Sequence, residues 1–101
     1  MATKILTAEQ VRKALYLESD ADTEELEELS LIASSFIEEK TGHDFGADNP
    51  IEPLATQLAK MYIRQIYFGA TAYNRDYEYS LGIEGLIVDL QNIAKEKSAT
   101  T

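Results

Sequence analysis

Residues 22–42, with the sequence DTEELEELSLIASSFIEEKTG, carry the clearest structural signal in this chain. Asp22 can cap a helix through its side-chain oxygen, and the glutamates that follow it suit the positive end of the helix dipole. Apolar side chains then recur at helical spacing, at Leu26, Leu29, Ala33, Phe36 and Ile37. Gly42 can adopt the left-handed conformation that ends a helix. The stretch therefore predicts an amphipathic helix over residues 23–41.

The residues before this helix predict a second, shorter one. Thr7 and Gln10 have the spacing of a capping box, in which each side chain binds the backbone N–H of the other residue. Leu6 and Val11 flank the cap at the spacing of a hydrophobic staple. The buried stripe of this helix is expected to contain Val11, Ala14 and Leu15. Residues 1–6 are expected to form an N-terminal lead, and residues 19–22 a turn between the two helices.

A third helix is predicted after a polar loop over residues 43–50. Pro53 suits its first turn, because the N–H that proline lacks would have no helical partner there, and Gly69 is expected to end it. On a helical wheel the polar side chains form one narrow stripe of Pro53, Thr56, Gln57, Lys60 and Arg64. The remaining circumference is apolar and includes Leu54, Ala55, Leu58, Met61, Tyr62, Ile63 and Ile66. A helix with so wide an apolar face is expected to lie at the centre of the fold.

The last predicted element is a helix over residues 81–95, which follows a tyrosine-rich loop over residues 70–80. Its apolar side chains share one face, which contains Ile83, Leu86, Ile87, Leu90, Ile93 and Ala94. Residues 96–101 are expected to be a flexible tail. Only 5 Gly and 2 Pro interrupt the chain, which favours long helices over many short strands. We therefore expect residues 1–101 to form a single all-α domain, a small four-helix bundle-like domain with a central apolar third helix.

The composition limits the possible functions. The chain has 101 residues, of which 45% are apolar, and this is enough for one hydrophobic core. It contains no cysteine, which excludes disulfides, thiolate metal sites and a catalytic thiol. It has no apolar run long enough for a signal peptide or a membrane span, so we expect a soluble, cytosolic protein.

The charge is strongly acidic. The chain has 9 Lys+Arg and 18 Asp+Glu, which give a net charge of −9. The basic residues are scattered, and Arg12 and Lys13 are their only adjacent pair. Nucleic-acid binding requires clustered cations that displace counterions from the phosphates. An acidic surface is instead expected to repel DNA.

No group of residues matches a catalytic or metal-binding pattern. The acidic segment that begins at Asp20 resembles a calcium loop, but Glu25 and Leu31 stand where that loop needs glycine and glutamate. His43 is the only histidine, and one histidine cannot form a typical zinc site. Ser30 lies within a helix and lacks the preceding aspartate of an acyl-carrier serine. We predict no catalytic, cofactor-binding or metal-binding residues, and a protein that is not an enzyme.

Two features suggest binding to other proteins. Leu31 and Val88 are apolar residues on the predicted solvent faces of the second and fourth helices. Single exposed apolar residues are ordinary in proteins, but two of them on different helices favour subunit contacts. Tyrosine and arginine are enriched at interface centres, and the loop before the fourth helix contains Tyr73, Arg75, Tyr77 and Tyr79. These rings are equally compatible with folding back over the end of the bundle.

The order of these elements is similar to that of a known family. The run at residues 6–17 leads through an Asp-rich turn into an acidic helix that ends in IEEKTG at residues 37–42. The third helix leads into an aromatic-rich stretch that contains Tyr62, Tyr67, Phe68, Tyr73 and Arg75. The closing helix contains GIEGLIVDL at residues 82–90. Over most of its length the chain resembles the head–tail connector (adaptor, or head-completion) proteins of long-tailed bacteriophages and prophages.

This resemblance implies a structural virion protein without a cofactor. Subunits of the family form a ring, commonly twelve-fold, below the portal protein, where the ring extends the DNA channel and docks stopper or tail-completion proteins. The resemblance places the protein in the host cytoplasm during assembly and then in the virion, at the head–tail interface, with no membrane partner.

An acidic channel lets double-stranded DNA pass without specific binding, since like charges repel within a Debye length of about 8–10 Å. Candidate residues for a surface that faces this channel are Glu24, Glu27, Glu28 and Glu38. The alternative is a small acidic adaptor or regulator that binds a basic host protein.

Overall fold

The computed structural model describes residues 2–68 and 76–99, of which residues 76–81 and 99 are described by their backbone alone. Within these ranges the chain is helical and contains no strand, which confirms the all-α prediction. The four α-helices are α1 (Ala8–Ala14), α2 (Thr23–Thr41), α3 (Pro53–Tyr67) and α4 (Asp76–Ala99). A short 3-10 turn, Phe45–Ala47, lies between α2 and α3.

The caps of α1 and α2 follow the local sequence. At α1 the capping box is present: the Gln10 N–H donates to the Thr7 hydroxyl at 3.1 Å, and the Thr7 N–H donates to the Gln10 side chain at 2.8 Å. At α2 the Asp22 carboxylate accepts from the Glu24 N–H at 3.0 Å. Gly42 ends α2 in the left-handed region, with a φ of 75°. Both boundaries of α2 match the prediction, because each depends only on neighbouring residues.

The core is a single cluster between the four helices. From α2, Leu26, Ala33 and Ile37 are buried, whereas Leu29 and Phe36 are half-buried. The buried side chains of α3 are Ala55, Leu58, Ala59 and Ile63. The helix α3 contacts the three other helices, as expected of a central helix. The helix α2 also contacts all three, so the two helices share the centre.

The N-terminal segment is part of this core and not merely a lead into α1. Ala2, Ile5 and Leu6 are buried against the bundle. The Ser34 hydroxyl accepts from the Ile5 N–H at 2.9 Å. The Ser30 hydroxyl donates to the Leu6 carbonyl at 2.7 Å and accepts from the Leu6 N–H at 3.3 Å. These two buried serines of α2 bind backbone groups of a segment that lies in neither a helix nor a strand.

A glycine allows a close approach at the start of this segment. A Cβ atom added to Gly46 would lie 2.0 Å from the Thr3 carbonyl oxygen, which is far inside van der Waals contact. The same end of the segment is held by Asp44, whose carboxylate accepts from the Thr3 N–H at 2.9 Å and from the Thr3 hydroxyl at 2.7 Å. The 3-10 turn therefore holds the N-terminus against the bundle.

The prediction for α4 was wrong at both ends. The helix begins at Asp76, five residues before the predicted start, so part of the expected tyrosine-rich loop is helical. It continues to Ala99, so residues 96–99 are helical and not a flexible tail. Lys97 approaches the Asp48 carboxylate at 3.5 Å, a contact that supports the last turn of the helix. No helix in the described ranges is long and apolar enough to cross a membrane.

Candidate interaction surfaces

The outer side of α2 combines glutamates with exposed aliphatic side chains. We define the acidic face as Glu28, Leu31, Ile32, Ser35 and Glu39, all of which are exposed. Leu31 is 41% exposed, as the sequence predicted, and its neighbour Ile32 is 48% exposed. Ile32 was missed in the sequence because it adjoins the helical stripe of Leu29, Ala33 and Phe36, and only the packing of the bundle leaves it uncovered.

A shallow depression adjoins this face at the groove between α2 and α3. It has a volume of about 360 Å³ and is lined by Leu31, Ile32, Ser35, Phe36, Glu39 and Tyr62. The rings of Phe36 and Tyr62 stack across the groove, with centroids 4.0 Å apart and planes 11° from parallel. Ile66, one helical turn beyond Tyr62, is 45% exposed. The groove thus presents apolar surface beside the carboxylate of Glu39.

The four glutamates predicted for a channel surface differ in their surroundings. Glu24 and Glu28 are exposed, whereas Glu27 and Glu38 are half-buried. The Glu27 carboxylate lies 3.5 Å from the Lys4 ammonium group, which partly neutralises it. Glu24 and Glu28 are therefore the two of the four that present an exposed negative charge.

A second surface, of opposite character, lies where α1 ends beside α3. We define the basic–aromatic face as Tyr16 and Tyr67, which are exposed, together with Lys60 and Arg64, which are half-buried. Arg64 joins the two helices, because its Nε–H donates to the carbonyl of Ala14 at 3.0 Å. Lys60 forms no ion pair with any residue that the structure describes. Tyr67 is 49% exposed.

Tyr16 occupies an unfavourable backbone position on this face. It follows the last turn of α1 with a φ of 59°, in the left-handed region where glycine or asparagine is usual. The Leu17 N–H donates to the Arg12 carbonyl at 3.0 Å and the Tyr16 N–H to the Lys13 carbonyl at 3.2 Å, which is the Schellman pattern of a helix end. The side chain of Tyr16 is nonetheless 80% exposed. No motif in the sequence predicts the left-handed conformation of Tyr16.

The other predicted contact residues are only partly described. Val88 is 54% exposed on α4, as expected. Tyr73 and Arg75 lie outside the described residues. Tyr77 and Tyr79 belong to the first turns of α4 and not to a loop, and their side chains lie outside the described part of the chain. The contact role of these residues stays a prediction.

His43 takes part in a polar cluster that joins the 3-10 turn to α4. Its Nε2 lies 2.8 Å from the Asp48 carboxylate, and the ammonium group of Lys97 lies 3.5 Å from the same oxygen. Burial raises the pKa of Asp48, but the hydrogen bond from His43 and the charges of His43 and Lys97 outweigh it, so that the pKa is lowered. The ring of Phe45 packs edge-on against His43 at 4.6 Å. The cluster therefore links the region of the 3-10 turn to α4.

The buried polar side chains of the described residues are internally paired. Every buried side-chain nitrogen and oxygen in this part has a hydrogen-bond partner. In the same part of the chain, no three His, Asp or Glu side chains are grouped as they would be around a metal ion. No family model, characterised protein or solved structure matches this chain.

Proposed function

We propose that this protein is a structural virion component, a head–tail connector subunit that forms a ring below the portal of a tailed bacteriophage. The observation that carries the proposal is the exposure of large apolar side chains on several helices of a strongly acidic domain. In this role the protein has no catalytic activity. Its ring extends the DNA channel and docks stopper or tail-completion proteins.

The exposed apolar side chains support a role in assembly. Among the residues whose side chains are described, they are Tyr16, Leu31, Ile32, Ile66, Tyr67 and Val88. Scattered exposed apolar residues are normal, but those that group beside a groove or on one face mark sites of protein–protein contact. A ring subunit needs two different contact faces, because each copy meets one neighbour on either side. We propose the acidic face and the basic–aromatic face as these two contact faces, with Val88 on α4 as a further contact residue.

The charge supports the passage of DNA without binding. The net charge of −9 and the exposed carboxylates of Glu24 and Glu28 disfavour adhesion of phosphates. Repulsion acts within about 8–10 Å at physiological salt, which is enough to keep a duplex from sticking to a channel wall. The connector role is thus consistent with the charge as well as with the exposed apolar surface.

The test is electron microscopy of the protein mixed with purified portal protein. We expect an additional ring on the portal, and a monomer when the protein is alone in dilute solution. Leu31→Glu and Val88→Glu are each expected to keep the fold, checked by circular dichroism, and to prevent ring formation. The absence of any added density on the portal would contradict the proposal, and assembly of both variants would contradict the contact assignment.

A second candidate function is that of an acidic adaptor or regulator that binds a basic host protein. The charge of α2 favours it, because residues 23–39 contain six glutamates and no lysine or arginine. Such a protein would form a one-to-one complex with its partner and no ring. Light scattering of the complex measures its mass and thereby separates the two candidates.

A further inference from the structure

We infer that the acidic face of one copy docks on the basic–aromatic face of the next copy, so that subunits join head to tail. This inference rests on the proposed function, since it specifies which surfaces of a ring subunit meet. The occupant of the groove beside the acidic face is thus a second copy of this chain. Its contact chemistry is aliphatic side chains against tyrosine rings, with glutamates opposite lysine and arginine.

The first argument is charge complementarity. The acidic face carries Glu28 and Glu39 beside the apolar pair Leu31 and Ile32. In a two-fold contact the acidic face would meet its own copy, and the glutamates would face like charges. The basic–aromatic face supplies the opposite sign through Lys60 and Arg64.

The charged residues at the end of α1 largely offset one another. Arg12 and Lys13 are balanced by Glu9 on the same helix, which pairs with both, and by Glu18, which follows the helix. The positive charge that remains comes from Lys60 and Arg64 on α3. A contact between the acidic face and the basic–aromatic face therefore brings opposite charges together.

The second argument is the conformation of Tyr16. A bulky residue in the left-handed region is strained, and the observed strain is a reason to look for a role outside helix capping. Tyr16 makes no contribution to the monomer core, because its side chain is almost fully in solvent. Tyr16 lies two residues after Ala14, whose carbonyl binds Arg64, and Tyr67 shares the face of α3 that carries Lys60 and Arg64. Tyrosine and arginine are typical of the energetically dominant part of an interface.

The third argument is the placement of the two faces on the bundle. Tyr62 of α3 points at α2, as its stacking on Phe36 shows. Lys60 and Arg64 are each two residues from Tyr62, or about 200° around the helix, so they point away from α2. On α2, Leu31 and Ser35 stand in the same relation to the buried Ala33. The two faces therefore lie on roughly opposite sides of the molecule, as head-to-tail growth requires.

The first test uses the absence of cysteine from the chain, which makes single cysteine substitutions free of background. Ile32→Cys and Lys60→Cys are mixed at high concentration and oxidised with glutathione disulfide. We expect a disulfide-linked dimer on a non-reducing gel from the mixture, little from either variant alone, and a ladder from the double variant. Ala47→Cys, at an exposed position in the 3-10 turn outside both faces, is the matched partner in the control mixture with Ile32→Cys.

The second test is complementation between variants that each lack one face. Ile32→Glu is expected to prevent binding through the acidic face, and Lys60→Glu to prevent binding through the basic–aromatic face. Each variant is expected to stay monomeric at concentrations where the wild type assembles. An equal mixture should give a one-to-one dimer and nothing larger, because each copy keeps one working face. Sedimentation velocity measures these masses, and circular dichroism verifies that both variants fold.

The outcomes separate this inference from the proposed function. Wild-type rings on the portal, combined with no dimer in the mixture and no Ile32–Lys60 crosslink, would overturn the pairing of faces and leave the connector role intact. A dimer from Ile32→Cys alone that forms as readily as the mixed dimer would also overturn it, since it indicates a two-fold contact. A mixed dimer and crosslink without any ring on the portal would support the pairing and contradict the connector role.

Discussion

At the residue scale, Gly46 suits its position in the backbone, whereas Tyr16 has a backbone conformation that is unfavourable for tyrosine. Gly46 lies against the N-terminal segment where any side chain would collide with the backbone of Thr3. Tyr16 adopts a positive φ that a residue without a side chain would adopt freely. The packing around position 46 requires glycine, whereas the backbone conformation at position 16 would favour glycine over the tyrosine that is present. The two therefore respond in opposite directions to substitution.

Gly46→Ala is expected to lower the free energy of unfolding by about 2–3 kcal/mol, the cost of forcing a methyl group into packed structure. The Cβ atom would displace the Thr3 carbonyl and with it the hydrogen bonds from Thr3 to Asp44. Urea unfolding followed by circular dichroism measures the change. Gly85→Ala is the matched control, since its Cβ meets nothing within 4 Å and should stabilise α4 by roughly 0.5–1 kcal/mol. Equal effects of the two variants would contradict the close approach at Gly46.

Tyr16→Gly is expected to raise the stability of the monomer by about 0.5–1 kcal/mol. Removing the side chain relieves a left-handed conformation that costs roughly 1–2 kcal/mol, and the greater freedom of glycine in the unfolded chain offsets part of the gain. Thermal unfolding of dilute protein measures the difference. Tyr16→Ala keeps the unfavourable φ and should give no gain, so a similar increase for both variants would show that strain at this position is not the cause.

At the element scale, the bundle is held together by contacts that join helices to the irregular segments around them. The serines of α2 bind the backbone of residues 5 and 6. Asp48 links the region after the 3-10 turn to the C-terminal end of α4. The segments between helices therefore contribute to stability and do not only connect the helices.

Ser34→Ala is expected to destabilise the protein by about 1–3 kcal/mol, because it leaves the buried Ile5 N–H without an acceptor. The exchange of the Ile5 amide hydrogen with solvent should accelerate in the same variant. Ser35→Ala, at the exposed neighbouring position, should change stability by less than about 0.5 kcal/mol. Unchanged protection of Ile5 in Ser34→Ala would mean that the segment does not depend on this bond.

Asp48→Asn is expected to weaken the protein at neutral pH and to have little effect in acid. The pKa of Asp48 is lowered in the folded state from its ordinary value of 3.8, so the carboxylate stabilises the fold above that value. This contribution is lost as the pH falls through the lowered pKa. Urea unfolding of wild type and variant at neutral pH and well below pH 3.8 measures the difference, which should shrink in acid. A difference that is independent of pH would contradict the role of the charge.

At the scale of the whole molecule, an excess of negative charge acts against compactness. The net charge of −9 spreads over a domain of 101 residues, and the ion pairs in the described part lie mostly at the surface, where each contributes little. Contacts between copies must overcome the same repulsion. The proposed pairing of the acidic face with the basic–aromatic face would bring opposite charges together and so reduce this repulsion.

Added sodium chloride is expected to stabilise the dilute monomer, because screening reduces the repulsion among its carboxylates. The midpoint of urea unfolding should rise between low salt and about 0.5 M salt. Glu28→Gln combined with Glu39→Gln removes two exposed negative charges and should show a smaller rise. A midpoint that falls with salt would instead indicate that the surface ion pairs dominate over the net charge.

The sequence by itself determined the all-α class, the bounds of α2 and the capping box of α1. Each of these depends on side chains within a few residues of one another, and the chemistry of caps and helical periodicity is therefore visible along the chain. The start of α4 was missed because its first turns contain tyrosines and a serine, which are compatible with a loop as well as with a helix.

Only the tertiary structure decided which irregular segments belong to the core and which apolar residues stay in solvent. The hydrogen bonds between the Ser30 and Ser34 hydroxyls and the N-terminal segment join residues far apart in the chain, as does the bond from Arg64 to Ala14. The exposure of Ile32 depends on where the other helices lie, and no local pattern encodes that. Local free energies select the helices, whereas burial and long-range polar pairing select how they are assembled and which surfaces remain for a partner.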